Sequence, residues 1–185
     1  SNVLGILNPV KEIVSICHST GCPVLIDGAQ GMVHEGVDVQ DVDCDFYAFS
    51  GHKLYAATGT GVLYGKRKWL DQMVPYQGGG EMIATVRFSG TTYAPLPEKF
   101  EAGTQNINAI PTLEPAIEML KLMKDKELLN AQEAVSQYLL HALTSNPRIR
   151  LYGVPRGTET KIPLFSFSVE GAHHEDLALI LDKMG

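Results

Sequence analysis

The apolar positions of this chain come in short blocks in the first half and in stripes in the second. Val10, Ile13, Val14 and Cys17 fall on one face at helical spacing, behind Asn8 as cap and Pro9 as first-turn proline. Gly21 stops that helix, and 22–26 is a short apolar run closed by Asp27 and Gly28. The next run, 45–50, is rich in aromatics and stops at Gly51, as a buried strand does. A third run, 61–65, follows closely enough to be an antiparallel neighbour, and 66–74 predicts a short helix carrying Trp69.

The middle has no period. The glycine-rich stretch 77–82 predicts a flexible, exposed loop, 91–97 an irregular segment, and 100–106 another loop of small and polar residues. Loops this long inside a domain are usually functional. From 109 onward the period is helical. Leu113, Ala116, Ile117, Leu120 and Met123 make one stripe; a second helix over 127–145 carries Leu128, Ala131, Val135, Tyr138, Leu139 and Ala142. Strands follow at 149–152 and 163–169, the latter alternating, and then an amphipathic helix over 173–184. The expected fold class is α/β. A mixed, mostly parallel sheet with flanking helices occupies 1–108, and a smaller α+β domain occupies 109–185, with the boundary between 105 and 115.

Composition narrows this picture. With 44% hydrophobic and 19% charged residues, the 185-residue chain reads as globular. A net charge of −6, without a basic block, argues against nucleic acid or an anionic membrane as partner. No apolar run is long enough to cross a bilayer, and the first residues show no signal-peptide pattern. Cys17, Cys22 and Cys44 lack metal spacing and read as structural, so a reduced, cytoplasmic setting is expected. Both ends read as cut, so the expectation is a part of a longer protein. No metal site is expected. The acidic run Asp38, Asp41, Asp43, Asp45 lacks the glycine and terminal glutamate of a calcium loop and reads as a solvated turn. His173 and His174 read as a polar helix start, His18 and His141 as solvated, and His34 as having no special role.

The chemistry sits at two strand ends. Asp27 and Lys53 both follow buried strands, where an open α/β sheet binds its ligands. A lysine amine and a carboxylate suit pyridoxal 5'-phosphate, whose aldehyde takes the amine and whose ring nitrogen takes the carboxylate. Ser50 and His52 are placed to donate to the phosphate, and Gln30 to reach the ring hydroxyl.

The motifs Val24-Leu25-Ile26-Asp27-Gly28-Ala29-Gln30 and Asp43-Cys44-Asp45-Phe46-Tyr47-Ala48-Phe49-Ser50-Gly51-His52-Lys53-Leu54-Tyr55 closely resemble the class V aminotransferase family. Within it the resemblance is strongest to group II cysteine desulfurases and selenocysteine lyases. Ser1-Asn2-Val3-Leu4-Gly5, Gly78-Gly79-Gly80-Glu81-Met82-Ile83 and Phe100-Glu101-Ala102-Gly103-Thr104 match that subgroup in order, and the resemblance covers nearly the whole chain. Two loop departures, Ala56-Ala57 and Gln105, fall where the family usually has proline. The resemblance implies a Schiff-base lysine at Lys53, a ring-nitrogen partner at Asp27 and ring-hydroxyl contacts from Gln30 and Asn2, with Asn2 also near the substrate. It implies phosphate contacts from Ser50 and His52, and from Thr104 toward a neighbouring subunit, hence a homodimer with shared sites. It implies conversion of L-cysteine to L-alanine, with sulfur passed as a persulfide to an acceptor protein for iron–sulfur assembly. The nucleophilic cysteine of that reaction is expected outside this stretch. The alternatives are a selenocysteine lyase acting on L-selenocysteine, another class V aminotransferase or β-lyase, and a non-catalytic fragment.

Overall fold

The computed structural model describes residues 1–125, 128–153 and 161–185. The chain divides into two compact units. One is Val10–Leu120; the other joins Ser1–Pro9 to Lys121–Gly185.

In the first unit, helix α1 (Val10–Ser19) precedes strand β1 (Leu25–Asp27), and short helices α2 (Gly31–His34) and α3 (Val39–Val42) lead to β2 (Phe46–Ser50). Strand β3 (Gly61–Gly65) and helix α4 (Arg67–Leu70) follow. The sheet order is β1-β2-β3, with β1 parallel to β2 and β3 antiparallel to it, so the mixed α/β expectation holds. Leu25 pairs with Phe46 and Asp27 with Ala48. One face of the sheet packs on the helices around Val14, Cys44 and Tyr47, with Ile26, Phe49 and Tyr64 against them. Of the predicted α1 stripe only Val14 is fully buried; Ile13 is exposed. Strand β1 begins later than the apolar run does, and α4 is one turn rather than the nine residues the pattern allows.

Asp45 corrects the reading of the acidic run as solvated. Its side chain is 0% exposed. It accepts hydrogen bonds from His18 Nε2 at 2.8 Å, Trp69 Nε1 at 2.6 Å and the Val24 amide at 2.9 Å. Burial alone would push this carboxyl up. The bonds from His18, Trp69 and Val24, with the nearby Lys66 ammonium, outweigh it and hold Asp45 well below the usual carboxylate range. His18 is correspondingly half-buried rather than solvated. This hub stands where β1 and β2 begin, so it fixes their register from the end opposite Asp27 and Ser50. The rest of the run behaves as a turn: Asp38 caps α3 by accepting from the Gln40 and Asp41 amides.

Two loop expectations change. Residues 83–93 form an antiparallel hairpin of β4 (Ile83–Arg87) and β5 (Gly90–Tyr93), because β-branched residues on both sides of the Phe88-Ser89 turn favour strands. Met82, in the stretch expected to be exposed, is fully buried. Helix α5 (Leu113–Asp125) buries the predicted stripe, with Ala116 innermost and Leu113, Ile117, Leu120 and Met123 half-buried.

In the second unit, α6 (Leu128–Thr144) corrects its predicted stripe. Val135 and Tyr138 are 65% and 74% exposed, whereas Ser136 is buried and Leu140 and Leu143 are half-buried. The start of that predicted helix, Glu127, lies outside the described residues. Strands β6 (Ile149–Tyr152) and β7 (Ser166–Val169) pair antiparallel, and β7 is half-buried on both faces rather than alternating. His173 caps α7 (His174–Met184), accepting from the Glu175 amide, as a polar helix start should. Among the described residues there is no metal-binding cluster, and no helix is long and apolar enough to cross a membrane.

Candidate functional site

Parallel pairing puts the ends of β1 and β2 side by side. The Gly28 amide donates to Ala48 O at 2.8 Å, extending the ladder one step past Asp27. The chain leaving β2 turns at once into a 3-10 turn, Gly51–Leu54, which carries His52 and Lys53. That turn packs against α2, whose N-cap is Gln30. Asp27, Gln30, Ser50, His52 and Lys53 are therefore gathered at one edge of the sheet, as the sequence predicts.

The segment is held from below. Gly51 and Leu54, on either side of the His52-Lys53 pair, are fully enclosed, which leaves Lys53 half-buried and His52 exposed. A Cβ on Gly51 would lie 2.2 Å from Thr60 Oγ1, and the Gly51 amide donates to Thr60 O at 2.9 Å. The Thr60 turn thus reaches the lysine segment only because position 51 has no side chain. The Asp27 carboxylate accepts from the Ala29 amide at 3.0 Å, which orients it in the turn after β1.

Tyr47 is a support the sequence does not flag. Its ring lies under Gly28, where a Cβ would meet ring atoms at 2.0 Å, and its edge faces Phe49. Burial pushes the Tyr47 phenol up, and the Cys44 thiol and the Asp27 carboxylate add to the shift. Replacing Gly28 with Ala forces the buried ring or the Asp27 turn to move, which costs about 3 kcal/mol. Urea unfolding of Gly28→Ala should show that loss, and the same change made in a Tyr47→Leu background should cost less than about 1 kcal/mol. An equal cost in both backgrounds would place the strain elsewhere.

The other two predicted residues lie apart in the chain. Thr104 is exposed, in the loop after Gly103, whose amide donates to Gly80 O at 2.9 Å. Thr104 therefore stands beside the Gly78-Gly79-Gly80 loop. Asn2 belongs to the unit formed by Ser1–Pro9 and Lys121–Gly185. Of the three cysteines, Cys44 is buried with its thiol pushed up by burial, Cys17 is half-buried, and Cys22 is exposed rather than part of the core.

An amine, a carboxylate, a hydroxyl, an imidazole and a carboxamide at one sheet edge form a donor set that fits pyridoxal phosphate. The aminotransferase class-V family model matches residues 1–185, and the chain belongs to that family. Pyridoxal 5'-phosphate is the cofactor that membership brings. The relatives it resembles are cysteine desulfurases: the Shigella sonnei protein is 43% identical over 186 residues, and an Escherichia coli K12 protein 42%. Each match takes in all of this chain and 45% of the relative, so the chain spans less than half the length of these relatives. Among solved structures, the E. coli cysteine desulfurase CsdA superposes with a TM-score of 0.85 at 39% identity, covering 45% of that chain. The Thermococcus onnurineus cysteine desulfurase gives 0.87 at 33% identity, covering 46% of it. Both cover the whole of the present chain.

Proposed function

We propose that the longer polypeptide containing this chain is a pyridoxal-phosphate-dependent cysteine desulfurase that converts L-cysteine to L-alanine. The observation that carries the reading is the meeting of Asp27 and the Ser50-Gly51-His52-Lys53 turn at the ends of two parallel strands. In this reading the division expected from the sequence, 1–108 as cofactor-binding large domain and 109–185 as smaller α+β domain, shifts to 10–120 for the large domain and 121–185 with 1–9 for the smaller one. When bound, the cofactor withdraws electrons from the substrate α-carbon.

The side chains do the rest. Lys53 holds the cofactor and moves the α-proton of the substrate. Asp27 keeps the ring nitrogen protonated. Gln30 and Asn2 donate toward the ring-hydroxyl side, and Asn2 also faces the substrate. Ser50 and His52 bind phosphate oxygens, joined by Thr104 of a second copy in a homodimer. None of Cys17, Cys22 and Cys44 takes part; the thiol that accepts sulfur comes from elsewhere in the polypeptide, and an acceptor protein takes the persulfide sulfur onward toward iron–sulfur assembly in the cytoplasm. A selenocysteine lyase has the same residue requirements at this edge.

The full-length protein, given the cofactor and L-cysteine, should form alanine and protein-bound persulfide in equal amounts. Formation of pyruvate and ammonia, or transfer of the amino group to a keto acid, would overturn the desulfurase reading. Turnover of L-cysteine, whatever the rate on L-selenocysteine, is expected of a desulfurase, and turnover of L-selenocysteine alone would assign the lyase instead.

A further inference from the structure

The segment that carries Asn2 is tied down by a second segment 157 to 163 residues away in sequence. Three successive carbonyls are taken in turn. Ser166 Oγ donates to Val3 O, Lys161 Nζ to Leu4 O, and the Ile162 amide to Gly5 O at 2.8 Å. Ile6 adds a β-bridge to Lys161. Gly5 has φ +72°, and a Cβ there would lie 2.7 Å from Leu164 O and 2.8 Å from Lys161 Nζ, so the two segments touch backbone to backbone. The segment also meets Gly153, where a Cβ would lie 2.7 Å from Leu4 Cβ. Asn2 and Val3 border an open cleft of about 620 Å³ together with Leu139, Leu143, Phe165 and Ser166.

Lys161 is an unusual choice for this task. It is 8% exposed, its ammonium stands 5.3 Å from the centre of the Phe165 ring, and burial pushes its basicity down. A buried charge is a poor stabiliser, and an apolar side chain of similar length often serves stability as well or better. What the ammonium supplies here is a directed donor aimed at the carbonyl two residues beyond Asn2.

We infer that Lys161 and Ser166 are positioning residues that hold the Asn2 backbone in the orientation the reaction needs. The inference rests on the proposed role of Asn2 at the cofactor and substrate. It is tested in full-length protein with Lys161→Met, Ser166→Ala, Asn2→Ala and the double variant Asn2→Ala/Lys161→Met. Lys161→Met should lower kcat/KM for L-cysteine about tenfold, the effect of one lost directed contact. Its thermal midpoint should stay within about 4 °C of wild type. In cofactor-free protein, hydrogen exchange of the peptide spanning 2–6 should speed up about tenfold in Lys161→Met and measurably in Ser166→Ala. The double variant should be no worse than Asn2→Ala, because the lysine acts through the asparagine.

Multiplicative losses in the double variant, or unchanged exchange over 2–6, would overturn the positioning role. If Asn2→Ala itself leaves kcat/KM and cofactor affinity unchanged, the reading of Asn2 fails first and the inference with it. Ser166→Ala removes only one hydroxyl and keeps the test open if the lysine variant does not fold.

Discussion

Full-length protein carrying Lys53→Ala should lose its borohydride-reducible linkage to the cofactor and at least about 10³-fold in kcat. The size follows from the two tasks that the proposed function gives to one amine, attaching the cofactor and moving the α-proton; acid–base participation alone contributes about 10²- to 10⁴-fold. The loss should not come from unfolding. Lys53 is half-buried in a turn whose anchoring is done by its neighbours, Leu54 in the core and Gly51 against Thr60. The variant should therefore unfold at the wild-type urea concentration. Mass spectrometry after borohydride reduction is the direct measurement. A cofactor adduct surviving on another lysine would remove Lys53 from the site.

Asp45→Ala should be the most damaging change to stability, at about 3–5 kcal/mol. It leaves the His18 ring, the Trp69 indole and the Val24 amide without their shared acceptor, and Lys66 and Lys68, at 3.7 and 3.5 Å, without the carboxylate between them. The same hub sets a pH dependence. Its folded-state carboxyl is held below the value of about 3.9 found in unfolded chains. The stability it contributes is thus fully present above about pH 5 and is lost as pH falls through the acid range. Urea midpoints measured from pH 7 down to pH 3 should fall more steeply in wild type than in Asp45→Asn. Parallel curves would show that Asp45 is not the group responsible.

The candidate edge was legible because it is local. Asp27, Ser50, His52 and Lys53 each sit within a few residues of a strand end, and strand ends announce themselves by the glycines that stop them, Gly28 and Gly51. Strands β2, β3 and β6 and the α5 stripe were equally readable. The hub was not, because nothing near Asp45 in sequence says that His18 and Trp69, some 25 residues to either side, will fold over it. The α6 stripe misled for a related reason. Amphipathic spacing allowed two faces, and the small polar Ser136 lies on the buried one. The hairpin over 83–93 was hidden by threonines, which serve loops and strands alike until a partner strand is known. Lys161 looked like any surface lysine, since its burial depends on a segment at the far end of the chain.

The pairing of residues 3–5 with 161–166 also bears on how the chain is made. Contacts that close so long a loop are entropically late, and they form slowly relative to local helices and hairpins. During vectorial synthesis residues 1–9 leave the ribosome long before residue 166 exists, while the sheet pairing and the core packing of α1, β1 and β2 lie within residues 10–65. The pairing of β1 with β2 is therefore expected to form early, and the Asn2 segment to dock last. Refolding followed by pulsed hydrogen exchange should show the 2–6 peptide gaining protection after the peptides of β1 and β2.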